Sequence, residues 1–250
     1  MNKKELVNTW LQEEKIARIK GWDFSHINDR YTEETDLPWN YKQIIAKYIN
    51  KDMKLLDMDT GGAEFLLTLH HPHHNTFATE GYKPNYDLCK EKLDPLNIEI
   101  KQNINEYPDN SFDIIINRHA QYDIKEVYKK LKSDGLFITQ QIGALNDRGL
   151  IELLCGNIPI SFPDKFLDIA TKELNDNHFE ILEKNECYRP IIFYDVAALV
   201  WFARIIEWEF INFSVKNNLD NLFKAQAILE KENKIEAKIH RFYFVAKKLS

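Results

Sequence analysis

The chain has only three cysteines among its 250 residues, Cys89, Cys155 and Cys187. They are odd in number, far apart and without a Cys-x-x-Cys pair, which excludes a disulfide framework and a zinc ribbon and fits a reducing cytoplasm. Positive charge is also in deficit. With 33 Lys and Arg against 39 Asp and Glu, the formal charge is −6 and the pI about 5.8, so no global field draws a phosphate backbone to the protein. Long apolar runs are missing. The most apolar stretch, 191–213, is broken by Asp195, Arg204, Glu207 and Glu209, and the first residues are charged with no signal-like core; no membrane span is expected. There is no internal repeat and no low-complexity linker. What is present, 44% hydrophobic and 12% aromatic residues, suffices for one sizeable core with an added lid, in one elaborated domain.

The stretch that organises the chain runs from Met53 to Leu67, Met-Lys-Leu-Leu-Asp-Met-Asp-Thr-Gly-Gly-Ala-Glu-Phe-Leu-Leu. An apolar run ends in Asp57, turns through Gly61-Gly62, and resumes at helical spacing at Phe65, Leu66 and Leu69. That pattern predicts strand, tight loop and helix, with free backbone N–H groups at the helix start close to a carboxylate at the strand end. A second strand, Asn75 to Glu80, also ends in an acid. An acid at that place in nucleotide-binding α/β folds accepts both ribose hydroxyls. Two acids at two strand ends with glycines between them predict a nucleoside pocket.

These residues resemble motif I and the following acidic strand end of class I S-adenosylmethionine-dependent methyltransferases. The family pattern, apolar-apolar-Asp-x-Gly-x-Gly-Gly-Gly-Glu, is matched at Leu55, Leu56, Asp57, Gly61, Gly62 and Glu64. Asp59 stands where the first glycine belongs, and Ala63 replaces a later one. Asp tolerates left-handed backbone angles better than most residues. Its carboxylate would either repel the cofactor's own carboxylate or pair with its ammonium or sulfonium group. The resemblance runs from about Trp22 to Lys248. It implies an α/β, Rossmann-like, doubly wound and mainly parallel seven-stranded sheet with an antiparallel last strand. Residues 1–50 would form an N-terminal helical cap or lid, and 51–250 the methyltransferase domain with a substrate-side helical insertion at about 188–235.

In chain order, residues 2–20 have an amphipathic helical spacing that Gly21 would end. Trp22-Asp23-Phe24-Ser25-His26-Ile27 and Tyr31 are aromatic and polar together; they read either as a core-edge patch or, by resemblance, as a segment folded over the cofactor. Asn40 with Gln43 caps a helix burying Ile44 and Ile45. His70, His71, His73 and His74 flank Pro72, where adjacent side chains diverge, so a surface loop is expected rather than a metal site. After Glu80 and Gly81, Pro84 suits the first turn of a helix, and 97–102 is a strand. By resemblance, Asn103 and Ile104 contact the adenine ring. The stretch 109–117 reads as a turn and then an apolar strand centred on Ile114-Ile115-Ile116, the signature of a central parallel strand. Asp109-Asn110-Ser111-Phe112-Asp113 matches the wording that introduces this strand in the family. Asp123 and Glu126 cap the next helix, and a strand follows from Leu136 to Ile142. Helices are expected at 147–154, at 166–174 and from Asp195, with strands at 178–187 and 239–246.

The implied activity is methyl transfer from S-adenosylmethionine, with S-adenosylhomocysteine as product and no metal. Asp57, Asp59, Thr60, Gly61, Gly62, Glu80, Gly81, Asn103, Ile104 and Asn117 would hold the cofactor. His119, at the strand tip nearest the transferred methyl, is the candidate base, or else an ordinary hydrogen-bonding loop residue. Arg118, Trp22, Tyr31 and Trp201 are candidates for the substrate side. No Asn-Pro-Pro-aromatic sequence stands at 117–120, so a small-molecule acceptor is favoured over RNA. A monomer or homodimer in the cytoplasm is expected. The altered motif leaves open a protein that binds the cofactor without turnover. A phosphatase using Asp57-Met58-Asp59-Thr60 as an Asp-x-Asp nucleophile pair lacks the downstream lysine and magnesium acids. A dinucleotide dehydrogenase lacks Gly-x-Gly-x-x-Gly.

Overall fold

The computed structural model describes residues 2–18, 23–33 and 36–250. The expected helix end at Gly21 and the substrate role of Trp22 lie outside them. In chain order the elements are α1 (Lys3–Ile16), β1 (Tyr31–Glu33), α2 (Tyr41–Tyr48), β2 (Leu55–Met58), α3 (Glu64–Thr68), β3 (Thr76–Thr79), α4 (Lys83–Leu93), β4 (Glu99–Lys101), β5 (Phe112–Arg118), α5 (Ile124–Lys130), β6 (Leu131–Ile142), α6 (Arg148–Cys155), α7 (Leu167–Asp176), β7 (Phe179–Phe193), α8 (Val196–Ile205), α9 (Leu219–Glu232) and β8 (Ile235–Lys248). The strands form one sheet in the order β1-β7-β8-β6-β5-β2-β3-β4. It has eight strands rather than seven, because three residues at Tyr31–Glu33 pair antiparallel with the end of β7.

The helix starts follow from short polar side chains. Asn40 accepts from the Gln43 N–H (3.1 Å) before α2, Asp123 from the Lys125 N–H (2.8 Å) before α5, and Asp195 from the Ala198 N–H (2.7 Å) before α8. Each meets a donor that the helix itself leaves unpaired. Pro84 stands in the first turn of α4, where a missing N–H costs nothing.

The chain divides into two compact units. One comprises 38–143, 164–187 and 241–250. Its centre is β2, β3, β4, β5 and β6, all parallel, with β8 antiparallel to β6. Ile114, Ile115 and Ile116 of β5 are fully buried, as expected of a strand covered on both faces. One apolar layer contains Tyr41, Ile45, Leu66 and Cys89; the other contains Phe112, Val127, Leu174 and Phe244.

The other unit comprises 144–163 and 188–240 with the described residues of 1–37. Its core is dominated by α8, nine of whose ten residues are buried. Arg30 ties this unit together. Its Nε and Nη2 donate to the two oxygens of Asp195 (2.7 and 2.9 Å), and its Nη1 donates to Glu13 (3.0 Å). Tyr31 stacks on Phe193, and Trp201 is buried against Phe24 and His26. Tyr31 and Trp201, two of the three aromatic residues singled out for the substrate side, are thus engaged in the packing of their own unit.

Candidate functional site

The parallel strands β2, β3 and β5 end side by side, with Met58 of β2 opposite Asn117 of β5 and Asp57 opposite Ala78 of β3. At this edge the loop after β2 turns through left-handed angles at Asp59, Gly61 and Ala63, with φ of 51°, 67° and 64°. The two positions that depart from the glycine pattern therefore keep a glycine-like backbone. For Asp59 the cost is small; for Ala63 it is ~1–2 kcal/mol.

The loop is pinned to the end of β3. The Thr60 N–H donates to the Thr79 carbonyl (2.9 Å), the Asp59 N–H to Thr79 Oγ1 (3.1 Å) and the Gly61 N–H to Glu80 Oε2 (2.8 Å). The second oxygen of Glu80 accepts from the Tyr82 N–H (2.9 Å). A carboxylate has about four acceptor sites, so Glu80 retains capacity on each oxygen. Asp57 accepts from Thr60 Oγ1 at 2.6 Å. The Asp59 carboxylate lies over Gly81, 3.8 Å from where a Cβ would sit.

Burial dominates the electrostatics. It pushes Asp57 up to about 7, with the charges of Asp59 and Glu80 adding and the Thr60 hydroxyl and Arg118 opposing. Asp59 and Glu80 are raised as well, each chiefly by burial. Three acids thus share one bend at the strand ends, each with its proton affinity raised first by burial.

The tip of β5 is more tightly built than its sequence suggests. Asn117 is fully buried; its Oδ1 accepts from Gln141 Nε2 (2.6 Å) and Thr139 Oγ1 (3.2 Å), and its Nδ2 donates to the Met58 carbonyl (3.3 Å). The Tyr41 hydroxyl lies 2.9 Å from the carbonyls of both Asn117 and Ile138, and its ring stacks on Phe65. Arg118 lies over the other partner in that stack, 4.6 Å from the Phe65 ring centre. His119 follows at φ 63°. Its Nε2 is 3.0 Å from Gln140 Nε2, while Gln140 Oε1 accepts from Trp39 Nε1 at 2.8 Å. Burial holds the imidazole well below its usual pKa, and Arg241, Arg118 and Lys165 depress it further.

Asn103 is exposed and its side-chain Oδ1 caps its own turn by accepting from the Asn105 N–H (2.9 Å); Ile104 is buried in the apolar layer around Phe112. The structure therefore gathers Asp57, Asp59, Thr60, Gly61, Gly62, Glu80 and Gly81 in one bend. Asn117 faces its neighbouring strands, while Arg118 and His119 follow at the same sheet edge. Trp39, Tyr41, Gln140 and Gln141 were missed by sequence reasoning. The only signal was a pair of glutamines at the end of an apolar strand. His71 donates to the Met53 carbonyl (2.8 Å), and among the described residues no cluster of His, Cys, Asp and Glu is arranged to hold a metal ion.

The sequence matches no protein-family model and no curated protein. Solved structures do match. A protein of Bacillus halodurans C-125, provisionally assigned as a methyltransferase, superposes with a TM-score of 0.57 at 15% identity over 84% of this chain and 98% of its own. A SAM-dependent methyltransferase of Methanosarcina mazei gives 0.51 at 16% identity over 82% and 97%. The [4+2]-cyclase SpnF gives 0.50 at 13% identity over 83% and 79%. The fold is that of the class I S-adenosylmethionine-dependent methyltransferases.

Proposed function

We propose that the protein binds S-adenosylmethionine in the bend from Asp57 to Glu64 and transfers its methyl group to a small-molecule acceptor. The observation that carries this reading is the position of Glu80. Its carboxylate stands at the end of β3, 2.8 Å from the Gly61 N–H of the loop after β2, with an acceptor site left on each oxygen for a ribose diol. The acidic surroundings favour the sulfonium and ammonium charges of the donor over the neutral sulfur of the product. Chemically, the reaction is an in-line displacement at the methyl carbon. The donor is intrinsically reactive, so holding the two partners aligned supplies much of the acceleration. Asp57 and Thr60 would shape the methionine end, and Asn117, locked by its four polar neighbours, would hold the floor of the site between β2 and β5.

A second reading is favoured by one specific observation, the carboxylate of Asp59 where the resembling family has a glycine: the protein binds the cofactor but does not turn it over. SpnF, a [4+2]-cyclase, illustrates that this fold does not fix a reaction. Calorimetric titration with S-adenosylmethionine and S-adenosylhomocysteine tests the shared premise. Binding to the native protein, weakened about 10-fold or more in Glu80→Gln, is expected, since the amide turns one of Glu80's acceptors into a donor facing a backbone N–H. Equal affinity in the two proteins, or no binding to either, would overturn it.

A further inference from the structure

Two ends of the same sheet edge carry opposite charge. Around the loop after β2 lie Asp57, Asp59 and Glu80. Around His119, at the tip of β5, the charges that act on the imidazole are all positive: Arg241, Arg118 and Lys165.

The hydrogen bonds of His119 sharpen the contrast. Trp39 Nε1 is a donor and nothing else. It therefore fixes the Gln140 amide with its oxygen toward the indole, at 2.8 Å, and its NH2 toward His119 Nε2, at 3.0 Å. A nitrogen that receives an N–H must itself be unprotonated. The proton of the neutral imidazole is then on Nδ1, which has no hydrogen-bond partner among the described residues. The nitrogen that a general base would use is occupied, and the nitrogen that is available donates.

We propose that the Trp39–Gln140–His119 chain holds His119 as a neutral hydrogen-bond donor, and that with Arg118 it selects a methyl acceptor arriving as an oxyanion, a carboxylate or an ionised enol or phenol. This rests on the methyltransferase reading and names its substrate class. An oxyanion needs no base. One of its lone pairs forms the new O–CH3 bond as the S–CH3 bond breaks, and the bonding pair remains on sulfur, giving neutral S-adenosylhomocysteine and a neutral ester or ether. No proton is transferred at any point. His119 touches the acceptor; Gln140 and Trp39 are positioning residues that act through it. Protonating His119 would place a second N–H against the Gln140 NH2, which together with burial and the three neighbouring cations keeps the ring neutral.

The test reads the ring directly, by long-range 1H–15N spectra of histidine-labelled protein, with the His119 signals assigned from His119→Gln. The native protein is expected to show Nδ1 protonated and Nε2 bare from about pH 8 down to about pH 5.5. In Gln140→Glu the carboxylate can accept from both neighbours, so the proton is expected to move to Nε2 and the ring to titrate above the ordinary imidazole range; in Trp39→Phe the freed amide should yield a mixture of tautomers. A native ring protonated at Nε2, or spectra unmoved in Gln140→Glu, would overturn the chain. Benzoate and benzylamine are then titrated in turn. Benzoate is expected to shift the Nδ1–H signal and benzylamine to leave it unmoved, with the benzoate dissociation constant raised roughly 10-fold in Arg118→Gln, the loss of one charge-assisted hydrogen bond. A stronger response to benzylamine, or none to benzoate, would overturn the oxyanion assignment. None of these readouts needs bound cofactor, so a failed S-adenosylhomocysteine titration with an intact ring signature would refute the cofactor reading alone.

Discussion

Replacing Asp57 with asparagine is expected to remove a loss of stability that the native protein suffers as pH rises from acid to neutral, so that the variant gains on the native protein toward neutral pH. The carboxyl is 4% exposed and its pKa is pushed from an ordinary 3.8 up to about 7, first by burial. Below 3.8 it is protonated in both folded and unfolded chains and costs nothing. As pH rises the unfolded chain ionises first, so the folded state loses stability steadily until about pH 7, where its own carboxyl ionises and the loss levels off. At ~1.4 kcal/mol for each tenfold in proton affinity, the full loss is at most ~4 kcal/mol, and between about pH 5 and about pH 7 it is ~2 kcal/mol. Asparagine has no such dependence. It still accepts from the Thr60 hydroxyl, and any cost of ~1–3 kcal/mol for its buried NH2 is constant with pH. Urea unfolding of the native and Asp57→Asn proteins, followed by tryptophan fluorescence at several pH values, gives the difference directly. The variant should gain on the native protein by ~2 kcal/mol across that window. Parallel curves, within ~0.5 kcal/mol, would refute the claim that burial of a charge is stored at this strand end.

Asp59→Gly is expected to leave stability within ~1 kcal/mol, since glycine suits φ 51° but is freer when unfolded. It should lower the preference for S-adenosylmethionine over S-adenosylhomocysteine roughly 10-fold; calorimetry that instead finds tighter binding of both would show the Asp59 carboxylate to be an obstruction. Arg30→Ala removes three hydrogen bonds to Asp195 and Glu13, leaving Asp195 without its cation and Glu13 with the His26 ring alone. A loss of ~2–3 kcal/mol in denaturant unfolding is expected, and a loss under ~0.5 kcal/mol would refute the tie.

The elements that the sequence disclosed were those whose cause is local. Asn40, Asp123 and Asp195 cap the helices they were expected to cap, because each needs only a donor two or three residues ahead. The apolar run Ile114–Ile116 became the centre of β5 because burial on both faces leaves that mark on composition. Strand β1 was missed: three residues are too few to show alternation, and their pairing is with residues far along the chain. Helix α9, Leu219–Glu232, lies within the helical insertion expected at about 188–235 but was not given bounds of its own, although Leu219, Leu222, Phe223 and Leu229 recur at helical spacing. At the site, the bend from Asp57 to Gly62 and the acid at Glu80 were legible as a motif. The bonds that set their chemistry were not, since Trp39 meets Gln140 across 101 positions and Tyr41 meets Ile138 across 97. No window of sequence contains both partners, and neither glutamine differs by itself from a surface residue.

The most direct measurement is a crystal structure of the protein grown with S-adenosylhomocysteine. The ribose diol is expected on Glu80, with the adenosyl group beside the loop after β2 and the sulfur directed toward the tip of β5 where Arg118 and His119 stand. A bend still closed on its own side chains at saturating ligand, or a nucleoside bound elsewhere on the protein, would contradict the assignment.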